Sequence, residues 1–284
     1  MPNHKVWSIT GASTGFGRAV TEIALKNGDA VVATLHKPKM LAGLSVQYPA
    51  DRLLVLKLDV QNENEITAAF TAAKERFGQL NVMFNNAAYS VVSEVESAAG
   101  KEMPIRAMFE VNFWGATHVT QAAVKFFREV KKPGVGGCLF QVSSMAGIEG
   151  IPALGFYNAT KFALEGISEA LAKELDPSWN IKVTTIEPGS FITEGRFKQG
   201  NIDPLPVYAK APAVSLRSII SAFAERPSGA NPLKAAEVFY RLADLHKPPL
   251  HFPIEEDCRL LADTDAFTSW SEGLEFTGDK VDLH

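Results

Sequence analysis

The chain has 284 residues, 46% of them apolar, enough to bury one substantial core within a single domain. Its 28 basic and 32 acidic side chains leave a formal charge of -4, which excludes the basic surface that nucleic acid or an anionic membrane would select. The two cysteines, Cys138 and Cys258, have no metal-ligand spacing, and no apolar run approaches the ~18 residues of a membrane span.

The N-terminus enters an apolar strand pattern at once, so no secretory leader is expected and a cytoplasmic location follows. Val6 to Thr10 reads as a strand and is followed by a glycine-rich turn. Arg18 to Asn27 then reads as a helix, with Gly28 just past its end. Ala30 to Thr34 and Leu53 to Leu58 are the next two strands, the latter ended by Asp59. Glu63 to Phe77 is a helix closed by Gly78, and Leu80 to Phe84 a fourth strand. Ile105 to Lys131 is a long helical stretch. Cys138 to Val142 is a fifth strand, Phe156 to Leu175 a helix and Ile181 to Ile186 a sixth strand. This alternation predicts an α/β fold: a Rossmann-like, doubly wound parallel sheet with helices on both faces.

The final third changes character. Residues 189–232 are rich in proline and glycine and read as a substrate lid, with a helix expected inside it over Val214 to Ala224. Leu233 to Leu245 returns to a helical pattern, Leu250 to Ile254 reads as a last strand, and Asp257 to Ser271 as a last helix before a polar tail.

Chemistry concentrates at the strand ends. Gly11, Ser13, Thr14, Gly15, Phe16 and Gly17 form a turn between the first strand and first helix. Glycines there let the backbone approach a pyrophosphate, and a helix N-terminus presents free N–H groups. Asp59, with Val60 beside it, has two available roles: accepting a hydrogen bond from an adenine amino group, or capping the helix near Glu63. Asn86, Ala87 and Ala88 end the fourth strand at the same edge, which favours a cofactor-side role over plain turn residues. Tyr157 and Lys161 are four apart at a helix start, so they share a face. A nearby ammonium favours the phenolate, and a tyrosine so tuned exchanges protons near neutral pH. By itself that spacing is a weak signal. Ser143 and Ser144 add weight by ending the fifth strand, where a hydroxyl can meet a substrate oxygen. Asn112, in an otherwise apolar helix, needs a partner.

In this order and spacing, TGASTGFG, Asp59-Val60, NNAA, the Asn112 helix, SSMAG, YNATK and PGSFIT resemble the short-chain dehydrogenase/reductase family, in its single-domain branch. The likeness runs from about Lys5 to Phe191. It implies that Tyr157 is the general acid/base and that Lys161 lowers its pKa and binds the nicotinamide ribose. It implies that Ser144 orients the carbonyl and that Asn112 holds a water linking Lys161 to solvent. Pro188, Gly189, Ile192 and Thr193 would embrace the carboxamide and neighbouring phosphate. Ala88 departs from the family's usual glycine, and a slightly altered cofactor fit is expected there.

The second strand ends Thr34-Leu35-His36-Lys37. Leu35 takes the place where NAD-preferring relatives carry aspartate, and His36 and Lys37 follow it. NADP(H) is therefore expected over NAD(H). The expected partner is a small carbonyl or alcohol, hydrophobic because Tyr89, Val91, Met145, Leu154, Phe191 and Phe197 are the candidate pocket positions. The family likeness of the Phe156 to Leu175 helix implies a homodimer or homotetramer. The alternative function is a non-catalytic NADP(H)-sensing protein on the same scaffold.

Overall fold

The computed structural model describes residues 4–191, 193, 200–211, 214, 217–218 and 230–254. A seven-stranded sheet forms its centre. The strands are β1 (Val6–Thr10), β2 (Ala30–Leu35), β3 (Leu53–Lys57), β4 (Val82–Asn85), β5 (Gly137–Val142), β6 (Ile181–Pro188) and β7 (His251–Ile254). Their order is β3-β2-β1-β4-β5-β6-β7, and every pairing is parallel. The order reverses between β1 and β4, and a parallel sheet opens a crevice at the carboxyl ends of such strands.

Alternation along the strands divides the core into two layers. Trp7, Ile9, Val31, Ala33, Phe84 and Phe140 pack on α1 (Gly15–Lys26), on α2 (Ala42–Gln47) and on a C-terminal helix introduced below. Val6, Val32, Met83 and Leu139 face the opposite way, onto α3 (Glu63–Phe77) and a long helical run. That run, expected over Ile105 to Lys131, is α4 (Met103–Phe109), a π turn (Glu110–Gly115) and α5 (Ala116–Glu129). Then come α6 (Gly155–Glu174) and α7 (Pro232–Leu242). α7 packs on α1 through Phe239 and Leu242.

Local chemistry fixes several boundaries. α3 starts where Asn62 Oδ1 accepts from the Asn64 and Glu65 amides, and it ends at Gly78 in the left-handed region, φ 65°. α6 is unusual in its buried face, which carries Asn158, Thr160, Lys161, Glu165 and Ser168 beside Leu164. The expected helix at Asp257 to Ser271 and the polar tail lie outside the described residues. So does most of the expected lid helix, of which Val214, Arg217 and Ser218 are described and helical. Among the described residues no helix is long and apolar enough to cross a membrane.

Candidate active site

The crevice is a cleft of about 660 Å³ at the carboxyl edge of the sheet. Its first wall is the glycine-rich turn. Gly11 and Gly15 adopt positive φ, 66° and 55°, which L side chains avoid. A methyl group on Gly17 would collide with the Gly11 carbonyl and lie 2.8 Å from Asn86 Nδ2, so α1 can dock on the turn only as glycine. The Thr14 hydroxyl does not cap the α1 amides. The helix N-terminus therefore keeps the donors that suit a phosphate.

Asn86 braces this cradle. Its Nδ2 donates to the Thr10 carbonyl at 2.9 Å, while the Asn86 and Ala87 amides donate to Thr10 Oγ1 at 2.8 and 3.0 Å. Asn86, Ala87 and Ala88 all line the cleft, with Ala88 exposed. At the end of β2, Leu35 is packed in the core, whereas His36 and Lys37 are exposed on the cleft rim. Arg18, in the first turn of α1, turns to Glu22 at 2.5 Å and to the Met40 carbonyl. Asp59 does not cap α3, because Asn62 does. Its Oδ1 accepts from Gln61 N at 3.0 Å, and its own amide donates to Glu65. Val60 lines the cleft and Asp59 does not. Gly115 gives Val60 room, since a methyl there would sit 2.6 Å from its Cγ2.

The opposite wall carries Ser144, Tyr157 and Lys161. Ser144, two residues after β5, is in extended backbone, and its Oγ accepts from the Ala146 amide at 3.1 Å. Tyr157 lies in the first turn of α6. Lys161 Nζ is 5.7 Å from the Tyr157 ring centroid and donates to the Val142 carbonyl at 2.8 Å. All three residues line the cleft. Burial pushes Lys161 down to about 8, and the charge of Glu165 opposes the fall. A lysine so held can change protonation at working pH.

Asn112 sits in the π turn, where the ladder shifts by one residue. Its Oδ1 accepts from Tyr89 N at 3.1 Å, and its Nδ2 donates to Tyr89 O at 2.8 Å and Thr160 Oγ1 at 3.2 Å. The side chain ties the Tyr89 loop to α6 and does not line the cleft. Pro188, Gly189 and Thr193 do line it, and Thr193 packs against Gly15. Ile192 and Phe197 lie outside the described residues. Of the expected substrate positions that are described, only Tyr89 borders the cleft. Val91, Leu154 and Phe191 are buried packing residues, and Met145, half-buried, is not among the lining residues. Sequence reasoning missed Ala107 and Val111, which wall the cleft one helical turn apart. Their own four-residue spacing, which puts both on one helix face, was the signal available.

The comparisons agree with this geometry. The sequence model described as short chain dehydrogenase matches residues 5–201. An uncharacterised oxidoreductase of Schizosaccharomyces pombe is 38% identical over 253 residues, 88% of this chain and 81% of that protein. The crystal structure of a short-chain dehydrogenase from Streptomyces avermitilis superposes with a TM-score of 0.80 at 31% identity, over 96% of this chain and 97% of that one. Two more distant structures share the fold. A Burkholderia phymatum enzyme in complex with NAD has TM-score 0.70 and 21% identity, over 88% of each chain. A Thermococcus sibiricus alcohol dehydrogenase with 5-hydroxy-NADP has TM-score 0.68 and 20% identity, over 89% of this chain and 96% of that one. A dinucleotide cradle, a Ser-Tyr-Lys wall facing it and a match over more than half the sequence lead to one assignment: the chain belongs to the short-chain dehydrogenase/reductase family of NAD(P)-binding oxidoreductases.

Proposed function

We propose that this protein interconverts a ketone or aldehyde with an alcohol, with NADP(H) as its cofactor and Tyr157 as the proton donor and acceptor. The observation that carries this reading is the convergence of Ser144, Tyr157 and Lys161 on the cleft that the glycine-rich turn opens. The cradle fits a dinucleotide because Gly11 and Gly15, both at positive φ, line the cleft with bare backbone that a pyrophosphate can approach. When bound, the nicotinamide supplies or accepts the hydride. Gly11 to Phe16 and the α1 N-terminus would hold the pyrophosphate, Lys161 the nicotinamide ribose, and Pro188, Gly189 and Thr193 the carboxamide end.

The residues then divide the proton chemistry. Ser144 orients the carbonyl oxygen by hydrogen bonding. Tyr157 passes its phenolic proton to that oxygen in reduction and withdraws one in oxidation. The Lys161 ammonium favours the phenolate and so brings the phenol's pKa towards neutrality. The exposed cation of Lys37, beside His36, suits a 2′-phosphate, and β2 ends without the carboxylate that would repel it. Tyr89, Ala107 and Val111 give the remaining wall its apolar character, which suits a hydrophobic carbonyl compound. The test is nicotinamide absorbance with a panel of ketones and aldehydes. NADPH consumption with hydrophobic members is expected. Tight NADPH binding with no turnover across the panel would instead support the sensing alternative.

A further inference from the structure

Lys161 has a carboxylate one helical turn behind it. Glu165 repeats the four-residue spacing of Tyr157 and Lys161 along α6, and its side chain turns into the protein, 5% exposed. Neither of its oxygens has a hydrogen-bond partner among the described residues, and neither does the buried Ser143 Oγ. The two groups meet at Gly147, where a methyl would lie 2.6 Å from Ser143 Oγ and 3.3 Å from Glu165 Oε1. Beneath them the sheet turns polar. On the β6 face that carries Ile181 and Val183, the next positions are Thr185 and Glu187. From β7, His251 Nδ1 stands 3.6 Å from Glu165 and 3.2 Å from Glu187, and Nε2 stands 3.6 Å from the half-exposed Glu169. Glu187 accepts from the Phe252 amide at 2.7 Å and from Thr185 Oγ1 at 2.5 Å.

We propose that Glu165 is a positioning residue for the reaction: its carboxylate, aligned by His251, is the counter-charge that keeps Lys161 protonated inside the fold. The proposal rests on the roles of Tyr157 and Lys161 given above. The groups facing Glu165 are Lys161 and Glu169 from α6, Ser143 from the turn after β5, Glu187 from β6 and His251 from β7. Lys161, Glu165, His251 and Glu187 thus alternate basic and acidic from the cleft to the sheet edge. The Val142 carbonyl that accepts from Lys161 is neutral, so it cannot balance a buried ammonium. Burial works against the His251 cation, but the Glu165 and Glu187 carboxylates outweigh it and push the imidazole above its ordinary range. Burial and the Glu165 charge push Glu187 above the usual carboxylate range. Oxygen and nitrogen atoms of Glu165, Glu187 and His251 lie within 4.8 Å of one another. A metal ion among them would face the Lys161 cation and compete with the hydrogen bonds from Thr185 and Phe252.

The experiment compares the wild-type protein with Glu165→Gln, Glu165→Asp, His251→Gln and Lys161→Ala. Two readouts are followed against pH: alcohol oxidation, and tyrosinate absorbance corrected with Tyr157→Phe. Losing the carboxylate lowers the lysine's pKa. Less ammonium then faces the phenol, whose pKa rises. Glu165→Gln is therefore expected to move both curves about one pH unit alkaline, the low end for a nearby opposite charge. That is roughly a tenfold loss of rate on the acid limb. Glu165→Asp should return most of the shift, and His251→Gln should produce a smaller one of the same sign. Unmoved curves in Glu165→Gln, with Lys161→Ala shifted, overturn the proposal. Curves unmoved in Lys161→Ala as well overturn the Tyr157–Lys161 reading itself. If Glu165→Gln fails to fold by circular dichroism, His251→Gln decides, and no shift there overturns the proposal. A stoichiometric divalent metal in the purified protein would overturn it also.

Discussion

One oxygen atom at Tyr157 carries the proposed proton transfer. Tyr157→Phe keeps the ring that packs beside Val92, Ala153 and Leu154 and removes only the hydroxyl. Turnover is expected to fall by roughly 10²–10⁴, with NADPH affinity within a few-fold. More than about a tenth of wild-type turnover, with chemistry rate-limiting, would remove Tyr157 from its role. The cofactor preference is also a single-residue matter. Leu35 is 2% exposed in the core, so an aspartate placed there would disturb packing as well as charge. The exposed Lys37 is the cleaner test. A charge-assisted phosphate contact is worth about 1.5–3 kcal/mol, and the lower half applies to a flexible lysine at an exposed site. The kcat/KM ratio of NADPH to NADH should drop roughly tenfold in Lys37→Ala, and in the wild type as salt rises. An unchanged ratio would make Lys37 an ordinary surface residue. Ser144, Tyr157 and Lys161 were legible because strand ends and helical spacing are written locally. Glu165 was not. Four residues after a lysine on a helix, a glutamate reads as a surface pair, and His251 reaches it only through the β6–β7 pairing.

At the scale of elements, the first half was readable because strand and helix periods differ and glycines mark the helix ends. The π turn was not, since its apolar spacing matches that of the α-helices it joins. The six-residue α2 was missed because AGLSVQ is too short for a period to show. Asn62, overlooked beside Asp59, gives an element-level prediction. Asn62→Ala should destabilise the protein by about 1 kcal/mol through its two lost cap bonds while leaving turnover unchanged. Equal melting temperatures would show that α3 is capped by other means. Gly17→Ala sets two effects against each other. Alanine in a helix is favoured by about 1 kcal/mol over glycine, but here the methyl strikes the Gly11 carbonyl. The clash is with backbone, so it should win. Fluorescence titration is expected to show NADPH affinity reduced by at least about tenfold, as α1 backs away from the turn. Undiminished affinity would mean that the turn yields without effect on the cofactor.

At the scale of the whole molecule, Ile202, Tyr208 and Arg217 fasten onto the loop after β4. The Ile202 amide donates to the Val92 carbonyl, Tyr208 to Glu96, and the Arg217 guanidinium forks onto both oxygens of the buried Glu94. This is the described part of the segment read from sequence as a lid. Its proline and glycine content hid which residues would anchor it. The Arg217 hydrogen bonds hold Glu94 down at about 2, against the opposing pull of burial. A lowered carboxylate stabilises the fold above its unfolded value, and that contribution is lost as pH falls through the folded one. It is therefore complete above about pH 4.5 and gone near pH 2, with an upper bound of about 3 kcal/mol. Arg217→Met should lower the melting temperature at pH 7 and erase much of the difference between pH 7 and pH 3. A difference between the two proteins that is independent of pH would show that Arg217 acts through packing alone.

The strand order also dictates a schedule. From β4 onward each new strand adds beside the one just made, so the sheet can grow outward as synthesis proceeds. The glycine-rich turn that would hold the pyrophosphate is braced once Asn86 has met Thr10. His251, on the last edge strand, arrives only after the reactive wall has been laid down. During refolding, quenching by bound NADPH is therefore expected to recover before turnover does. Simultaneous recovery would mean that the sheet assembles in one step.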